Sequence, residues 1–218
     1  MPNPDASAAV ERAMRALLAQ RADDLAQGAT GVGWKIGFDT PAIQQHFGLH
    51  DAVVGYLTDT RVVAPGATVS LAGWAAPAVE VELAVRVGAD GTVAGLGPAL
   101  ELVDLDISFG DIELVLSGNV CHRNVVFGAE VTGVDPMALA ATVIKDGTVV
   151  AEGRLTKDPT VTTAFVRAYL AAHGAVLEPG QRIICGSVVP PVAVAPGDAL
   201  DVSFGPFGSL AVRFDDSG

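Results

Sequence analysis

The sequence predicts an α+β domain that is rich in β-strands and begins with a helical segment. An amphipathic pattern covers residues 6–27, and short alternating or apolar runs separated by turn residues dominate from about residue 50 onward. Half of the 218 residues are hydrophobic, so the chain can bury a large core. Since neither a repeat nor a linker divides the chain, we expect a helical N-terminal segment, residues 1–30, and one β-rich domain, residues 31–218.

The first element is a helix over residues 6–27. Val10, Met14 and Leu17 recur at helical spacing, and Gly28 can end the helix. The first strand follows at once, because Trp34 and its apolar neighbours alternate with small or polar residues over 31–37.

A second helix is predicted to start after Thr40, with Pro41 at its first position and Phe47 near its end. Two more helices are predicted at Asp111–Val120 and Thr160–His173, the latter closed by Gly174. Between them, Ala89-Asp90-Gly91 and Lys145-Asp146-Gly147 favour hairpin turns. The candidate strands are Val53–Leu57, Thr68–Leu71, Val79–Val87, Ala99–Ile107, Ala140–Lys145, Thr148–Glu152, Arg182–Cys185, Ala199–Phe204 and Ser209–Phe214.

The charge balance limits the partners of the chain. The formal net charge is −12, which disfavours nucleic acid and anionic membranes as partners. No stretch is long and apolar enough to span a bilayer, and the polar N-terminus is unlike a signal peptide. Cys121 and Cys185 have neither disulfide-framework nor zinc spacing, so they are expected to be buried or partly buried thiols. We therefore expect a cytoplasmic protein.

Two glutamates form the first candidate site. In the segment Ala78–Val85, Glu80 and Glu82 fall on one face of a strand while the apolar residues fall on the other. Carboxylates spaced in this way repel each other unless they are solvated or share a cation, and oxygen ligands suit Mg²⁺ or Mn²⁺. The alternative is an exposed strand face with ordinary surface glutamates.

A third acid and a lysine extend this hypothesis. Glu101 lies within an apolar run, where a carboxylate is often half-buried and requires a partner. Spacing alone leaves open whether it meets the other two glutamates or lies on a strand edge or helix surface. Lys35 lies between apolar residues and glycines, so desolvation is expected to lower its pKa toward catalytic use. The alternative is a solvated lysine.

Several motifs in one order resemble a known family. The chain resembles the 2-hydroxypenta-2,4-dienoate hydratase and 4-oxalocrotonate decarboxylase group of the fumarylacetoacetate hydrolase superfamily, from about Gly31 to the C-terminus. The motifs are Gly-Trp-Lys-Ile-Gly at 33–37, Val-Glu-Val-Glu-Leu-Ala at 79–84, Ala-Leu-Glu-Leu-Val-Asp at 99–104, residues 119–128, Leu-Glu-Pro-Gly-Gln-Arg-Ile-Ile-Cys-Gly-Ser at 177–187 and Ala-Pro-Gly-Asp at 195–198.

This resemblance implies a fold, a cofactor and a set of site residues. The fold would be a mixed β-sandwich or rolled barrel with the site in its mouth. The resemblance also implies Mg²⁺ or Mn²⁺ as cofactor, and a homo-oligomer. The residues that the matching motifs supply are Glu80, Glu82 and Glu101 as metal ligands, Lys35 as the catalytic lysine, and Gly37, Asn119 and Ser187 as substrate contacts.

The chain departs from the family pattern at two places near the expected pocket. The family's acid partner for the lysine is missing from Ala52-Val53-Val54-Gly55, which leaves Asp59, or Asp51, as candidate substitute. Small residues of the family are replaced by Cys121 and His122, and His122 is a candidate catalytic base.

The resemblance implies a small 2-oxo or 2-hydroxy-dienoic acid as substrate. The predicted activity is a hydratase that adds water to the dienoic acid and forms a 4-hydroxy-2-oxo acid, as in aromatic-compound catabolism. A 2-oxo acid decarboxylase and a C–C bond hydrolase are the alternative enzymes, because the same electron sink serves all three reactions. A non-catalytic member that binds a metabolite is the alternative outside catalysis.

Overall fold

The structure is a computed structural model that describes residues 4–105 and 111–217. The described helices are α1 (Pro4–Ala26), α2 (Pro41–Phe47), α3 (Ile112–Ser117) and α4 (Pro159–Ala172). The described strands are β1 (Gly31–Gly37), β2 (Val53–Thr58), β3 (Val62–Val63), β4 (Thr68–Ser70), β5 (Pro77–Val87), β6 (Val93–Asp104), β7 (His122–Phe127), β8 (Ala140–Lys145), β9 (Thr148–Arg154), β10 (Arg182–Ser187), β11 (Val192–Ala193), β12 (Ala199–Ser203) and β13 (Ser209–Asp215).

The strands form two mixed sheets. The larger sheet has the order β2-β1-β10-β5-β6-β7-β3, and the short strand β11 also pairs with the central strand β5, outside this order. The smaller sheet has the order β4-β13-β12-β8-β9. The long strands β5 and β6 form an antiparallel hairpin at the centre of the larger sheet, so residues on one face of this hairpin are held in fixed opposition.

The two sheets pack face to face over part of the hairpin. Val79, Val81 and Leu83 of β5 are buried in one hydrophobic cluster with Val143 and Val202 of the smaller sheet. These β5 residues alternate with the glutamates, as expected for a strand. The apolar face therefore builds the sandwich core, and the opposite face of the hairpin carries the acids.

The larger sheet also curls around its acidic face. A second cluster on that face joins Leu57 of β2, Ala84 of β5 and Val125 of β7, which come from distant strands. Lys35 of β1 forms a 2.7 Å ion pair with Glu101 of β6, although β10 and β5 lie between these strands. Three strand spacings are about 14 Å in a flat sheet, so this contact requires a rolled sheet.

The helices cover the outside of the rolled sheet. Met14 and Leu17 of α1 share a buried cluster with Trp34 of β1 and with Val166 and Leu170 of α4. The predicted N-terminal segment therefore packs on the β-rich part through a common core. None of the helices in the described ranges is long and apolar enough to cross a membrane.

Most predicted elements agree with the structure to within a few residues. The strand predicted at Ala99–Ile107 begins earlier, at Val93, and ends at Asp104; Ile107 lies outside the described residues. The sequence missed the two-residue strands β3 and β11. It also missed β7, because His122 and the two polar residues after it conceal the alternation of this strand.

The helix predicted at Asp111–Val120 is also shorter in the structure. It ends at Ser117, because Asn119, Val120 and Cys121 have left-handed backbone angles (φ 56°, 53° and 67°). These angles are incompatible with a continuing right-handed helix.

Gly33 provides a test of the packing between β1 and β10. A Cβ at Gly33 would lie 1.9 Å from the carbonyl oxygen of Arg182 on the paired strand. We expect Gly33→Ala to lower the free energy of unfolding by about 3 kcal/mol, since the backbones must separate. Chemical denaturation measures this loss. Gly118→Ala is the matched control, because the nearest atom there lies at 3.3 Å; an equal loss in both variants would contradict the argument.

Candidate functional site

The register of the central hairpin brings three glutamates together. Glu80 and Glu82 of β5 point to one face, and Glu80 is paired directly with Glu101 of β6. Paired residues of an antiparallel ladder have their Cβ atoms about 4.5–5.5 Å apart. One carboxylate oxygen from each glutamate lies within 4.8 Å of the other two. The hypothesis that the acids converge is therefore consistent with the described geometry.

The burial and bonding of these carboxylates fit a bound cation. Glu82 and Glu101 are buried, at 1% and 0% exposure. Glu82 Oε2 accepts a hydrogen bond from the backbone N–H of Gly186 (2.8 Å). In the described part of the chain, Glu82 Oε1 and Glu101 Oε2 are buried without a hydrogen-bond partner, although buried carboxylates normally have partners. Carboxylate oxygens are the ligands that small hard cations such as Mg²⁺ prefer, so the chemistry of the donor set suits a divalent cation.

The pKa values of the glutamates also fit a bound cation. Burial and then the charge of Glu101 raise the pKa of Glu80 to about 7. Burial and the two neighbouring carboxylates raise the pKa of Glu82 well above its usual range. Like charges at this distance disfavour ionisation, and a shared cation is the simplest group that would relieve the repulsion.

Glu101 connects the carboxylates to a buried lysine and histidine. Glu101 Oε1 accepts hydrogen bonds from Lys35 Nζ (2.7 Å) and from His122 Nδ1 (2.8 Å). Both side chains are 2% exposed. Although burial opposes ionisation, Lys35 and His122 together lower the pKa of Glu101. Glu101 is therefore the anion of the cluster, with one oxygen satisfied and the other available.

The protonation of Lys35 differs from the sequence-based expectation. Burial does act to lower the pKa of Lys35, but the negative charges of Glu101 and Glu80 outweigh it and raise the pKa. Desolvation alone does not set the pKa of Lys35, because Lys35 forms an ion pair with Glu101 that the spacing of residues in the sequence does not reveal. Lys35 is thus an ammonium that can donate a proton, and its partner acid is Glu101.

The missing family acid near Val53 is therefore not replaced by Asp59. Asp59 is exposed and accepts a hydrogen bond from the backbone N–H of Thr30 (2.8 Å). It begins a short 3₁₀ turn, Asp59–Arg61, and the bonds from Thr30 lower its pKa. No described contact joins Asp59 to Lys35, so Asp59 stabilises the local backbone at Thr30 and is not part of the cluster.

His122 contacts the cluster through Nδ1, which leaves its second ring nitrogen, Nε2, available for another partner. Burial lowers the pKa of His122 despite the opposing bond to Glu101, so the neutral imidazole is favoured. Because the Glu101 anion needs a donor, the proton of this imidazole lies on Nδ1. Nε2 then has a free lone pair, and within the described residues it is buried without a partner.

Asn119 acts on the backbone that surrounds Lys35. Its side-chain amide donates to the carbonyl of Tyr56 and accepts from the N–H of the same residue (2.9 Å each). This pairing fixes the left-handed turn that follows, where the Val120 carbonyl accepts a 2.6 Å hydrogen bond from Lys35 Nζ. These bonds use one N–H and one lone pair of the Asn119 amide and hold it against the Tyr56 backbone. The substrate contact expected of Asn119 from the sequence stays a prediction.

Gly37 and Ser187 line a cavity of about 480 Å³ that also exposes Glu80 and Glu82. Gly37 packs closely, since a Cβ there would lie 2.7 Å from a methyl group of Val120. The hydroxyl of Ser187 donates to the carbonyl of Val189 (2.7 Å). Gly37 and Ser187 thus border the cavity, and their contact with a substrate stays a prediction.

The rest of this cavity was missed by sequence reasoning. Asp39 lies in its lining and is bound by Lys157 Nζ at 3.0 Å. Its place directly after the Gly-Trp-Lys-Ile-Gly motif was the available signal. The apolar lining includes Ile36, Phe38, Ile43, Leu105, Val188 and Val189.

The two cysteines do not contribute a nucleophile. Cys185 is buried and Cys121 is partly buried, and both are free thiols. Burial raises the pKa of Cys121 to about 11 and that of Cys185 well above its usual range. This agrees with the expectation from the sequence.

Comparison with known proteins identifies the family. The model of the fumarylacetoacetate (FAA) hydrolase C-terminal family matches residues 40–215. The chain belongs to the FAA hydrolase family. The predicted α+β fold of the FAA hydrolase type is thereby confirmed, with a curled mixed sheet and an N-terminal helix.

Two curated FAA hydrolase relatives cover most of the chain. The 2-hydroxyhexa-2,4-dienoate hydratase of Comamonas testosteroni is 28% identical over 211 residues, which is 87% of this chain and 80% of the relative. The 2-oxo-hept-4-ene-1,7-dioate hydratase of Escherichia coli is 29% identical over 217 residues, which is 87% of this chain and 81% of the relative.

A solved structure of the family is also similar over most of its length. It is the 4-oxalocrotonate decarboxylase from Pseudomonas putida G7 complexed with magnesium and adipate, with a TM-score of 0.86 and 26% identity. The alignment covers 93% of this chain and 84% of that one. A second structure of this decarboxylase holds calcium and acetate, with a TM-score of 0.81.

Metal-linked stability tests the carboxylate cluster. We expect Mg²⁺ to raise the Tm of the protein, by an amount that corresponds to about 2.7 kcal/mol at a hundredfold excess over Kd. Glu82→Gln keeps the acceptor for Gly186 but removes a ligand charge, so at least half of this Mg²⁺-dependent shift should be lost. Differential scanning calorimetry with and without Mg²⁺ measures the shift. Glu152→Gln, on the exposed part of β9, is the control; equal shifts in both variants would remove the cluster as the metal site.

Proposed function

We propose that the chain is a divalent-metal-dependent lyase that hydrates a small 2-hydroxy-dienoic acid to a 4-hydroxy-2-oxo acid. The observation that carries this proposal is the combination of two buried carboxylate oxygens, on Glu82 and Glu101, that have no partner among the described residues, with a buried Lys35 ammonium. The cavity beside them is mostly apolar and opens over Glu80. Such a site can bind a chelating acid at one end and contact its carbon chain through apolar side chains.

Glu80, Glu82 and Glu101 are the proposed ligands of the cation, and Mg²⁺ or Mn²⁺ is the proposed ion. Three hard carboxylate oxygens suit either ion, and relatives contain magnesium or calcium. When bound, the cation supplies Lewis acidity at the carboxylate and 2-oxo oxygens of the acid.

Lys35 is the proposed proton donor in the ketonisation of the dienol. Its Nζ carries a proton because Glu101 raises its pKa, and the bonds to Glu101 and to the Val120 carbonyl fix its position. A general acid contributes about 10²–10⁴-fold when it is positioned in this way.

His122, Gly37 and Ser187 have supporting roles in this proposal. His122 orients Glu101 through Nδ1, and its unprotonated Nε2 is the proposed base for the attacking water. Gly37 and Ser187 border the cavity and would contact the substrate through their backbones. No catalytic role is proposed for Asp59, and the expected homo-oligomer and cytoplasmic location stay predictions.

Decarboxylation of a 2-oxo acid is the second candidate reaction. The specific support is the similarity to the Pseudomonas putida G7 decarboxylase, with its TM-score of 0.86. Both reactions need the same cation and the same proton donor, so the product is what separates them. Release of CO₂ from oxalocrotonate would identify the decarboxylase, and formation of a 4-hydroxy-2-oxo acid would identify the hydratase.

Turnover tests the proposal directly. With Mg²⁺, the purified protein should consume 2-hydroxypenta-2,4-dienoate, followed by the loss of its ultraviolet absorbance. Lys35→Met should lower kcat by about 10²-fold or more, because the proton donor is gone. Its Mg²⁺-dependent rise in Tm should remain, since the three carboxylate ligands are retained and bound Mg²⁺ would supply the positive charge that Glu101 loses with Lys35.

The matched control is Lys145→Met, which removes a lysine that pairs with Asp198 far from the cluster. This variant should keep wild-type kcat. Full activity of Lys35→Met would exclude the proposed proton donor. Inactivity of the wild-type protein toward dienoates and oxalocrotonate, with Mg²⁺ bound, would favour a metabolite-binding role.

A further inference from the structure

The cavity beside the three glutamates has two chemically different parts. Glu80 and Glu82 provide the anionic end, where a cation would bind the 2-oxo acid group. We call the remainder, lined by the side chains of Phe38, Ile43 and Leu105 and by the segment Val188–Pro191, the tail region. A substrate that is anchored at the glutamates would therefore extend its carbon chain along apolar surface.

Among the residues that the structure describes, the tail region offers no counter-ion for a second carboxylate. Neither a lysine, an arginine nor a histidine is found in the described lining of the cavity. Lys35 forms a buried 2.7 Å ion pair with Glu101.

The charged pair nearest to the tail region is not favourable for an anion. Asp39 lines the cavity, and its carboxylate is 23% exposed. Lys157 lies 3.0 Å from Asp39 and is thereby neutralised as a potential partner. A distal carboxylate would have to compete with Asp39 for this lysine or lie unpaired against apolar side chains, and both are costly.

We infer that the substrate is a monocarboxylic 2-oxo or 2-hydroxy-dienoic acid with a short hydrocarbon tail, and that the chain discriminates against dicarboxylic analogues. This inference rests on the proposed function, because it assumes that the acid is anchored at the glutamates. The relatives include one hydratase named for a hexadienoate, which is a monocarboxylate, and one named for a heptenedioate, which is a dicarboxylate. The inference places the substrate of this chain with the first kind.

A matched pair of ligands tests the inference without turnover. 2-Oxohexanoate and 2-oxoadipate have the same six-carbon chain and the same chelating end, and they differ only in a terminal methyl group or carboxylate. Isothermal titration into the Mg²⁺-loaded protein should give a Kd for 2-oxohexanoate at least about tenfold below that for 2-oxoadipate. Equal affinities, or a preference for 2-oxoadipate, would overturn the inference and leave the proposed function intact.

Two variants locate the source of the preference. Ile43→Lys, on partly buried α2 surface in the tail region, should improve the relative affinity for 2-oxoadipate by about tenfold. Ile43→Met is the uncharged control and should leave the ratio unchanged. An unchanged ratio in Ile43→Lys would show that the ligand tail lies elsewhere and would overturn the inference.

Lys157→Gln tests whether the lysine that pairs with Asp39 binds the distal carboxylate. The ratio of the two Kd values should be unaffected, since Lys157 is engaged by Asp39. A selective loss of 2-oxoadipate binding would identify Lys157 as a counter-ion and contradict the inference. If neither acid binds in a Mg²⁺-dependent way, the proposed function and this inference fail together, which distinguishes that outcome from a reversed preference.

Discussion

The interaction on which the site depends is the buried contact between Glu101 and Lys35. A carboxylate at 0% exposure is stable only with compensating charge, and Lys35 supplies that charge at 2.7 Å. The pair keeps Glu101 ionised next to two other glutamates whose pKa values are raised. It also keeps the lysine protonated, so one contact fixes the charge state of both the acid and the proposed proton donor.

That contact in turn depends on the way the larger sheet is rolled. Lys35 and Glu101 lie on strands that are not neighbours. The turn at Asn119–Cys121 encloses the Lys35 ammonium, which donates a hydrogen bond to the Val120 carbonyl. Val120 is β-branched, and its left-handed backbone (φ 53°) is unfavourable. The double hydrogen bond between Asn119 and the Tyr56 backbone stabilises this turn, which presents the Val120 carbonyl to Lys35 and leads into His122.

The partner of the buried lysine belongs to the carboxylate cluster. The segment Ala52–Gly55 contains no acid, and Lys35 pairs with Glu101 of the cluster itself. His122 then shares Glu101 Oε1 with the lysine. The second oxygen of Glu101 stays free of protein donors within the described residues, which preserves a ligand position for a cation.

The sequence alone indicated which residues are the candidates for chemistry. The period of two across Glu80 and Glu82 placed both acids on one strand face, and the apolar neighbours of Glu101 favoured a carboxylate that is at least half-buried. Those inferences need only the alternation of side chains along a strand and the cost of burying a charge. The pattern of helical and strand segments likewise predicted an α+β domain, and the hydrophobic composition predicted a large core.

Only the tertiary structure decided how these residues combine. The pairing of Glu80 with Glu101 is a matter of register, and the contact between Lys35 and Glu101 is a matter of sheet curvature, neither of which is written in local spacing. For the same reason local spacing did not reveal that the Asn119 amide binds the Tyr56 backbone. It also left Asp39 and the apolar tail region unnoticed, because the cavity forms only when β1, α2 and the segment after β10 pack together.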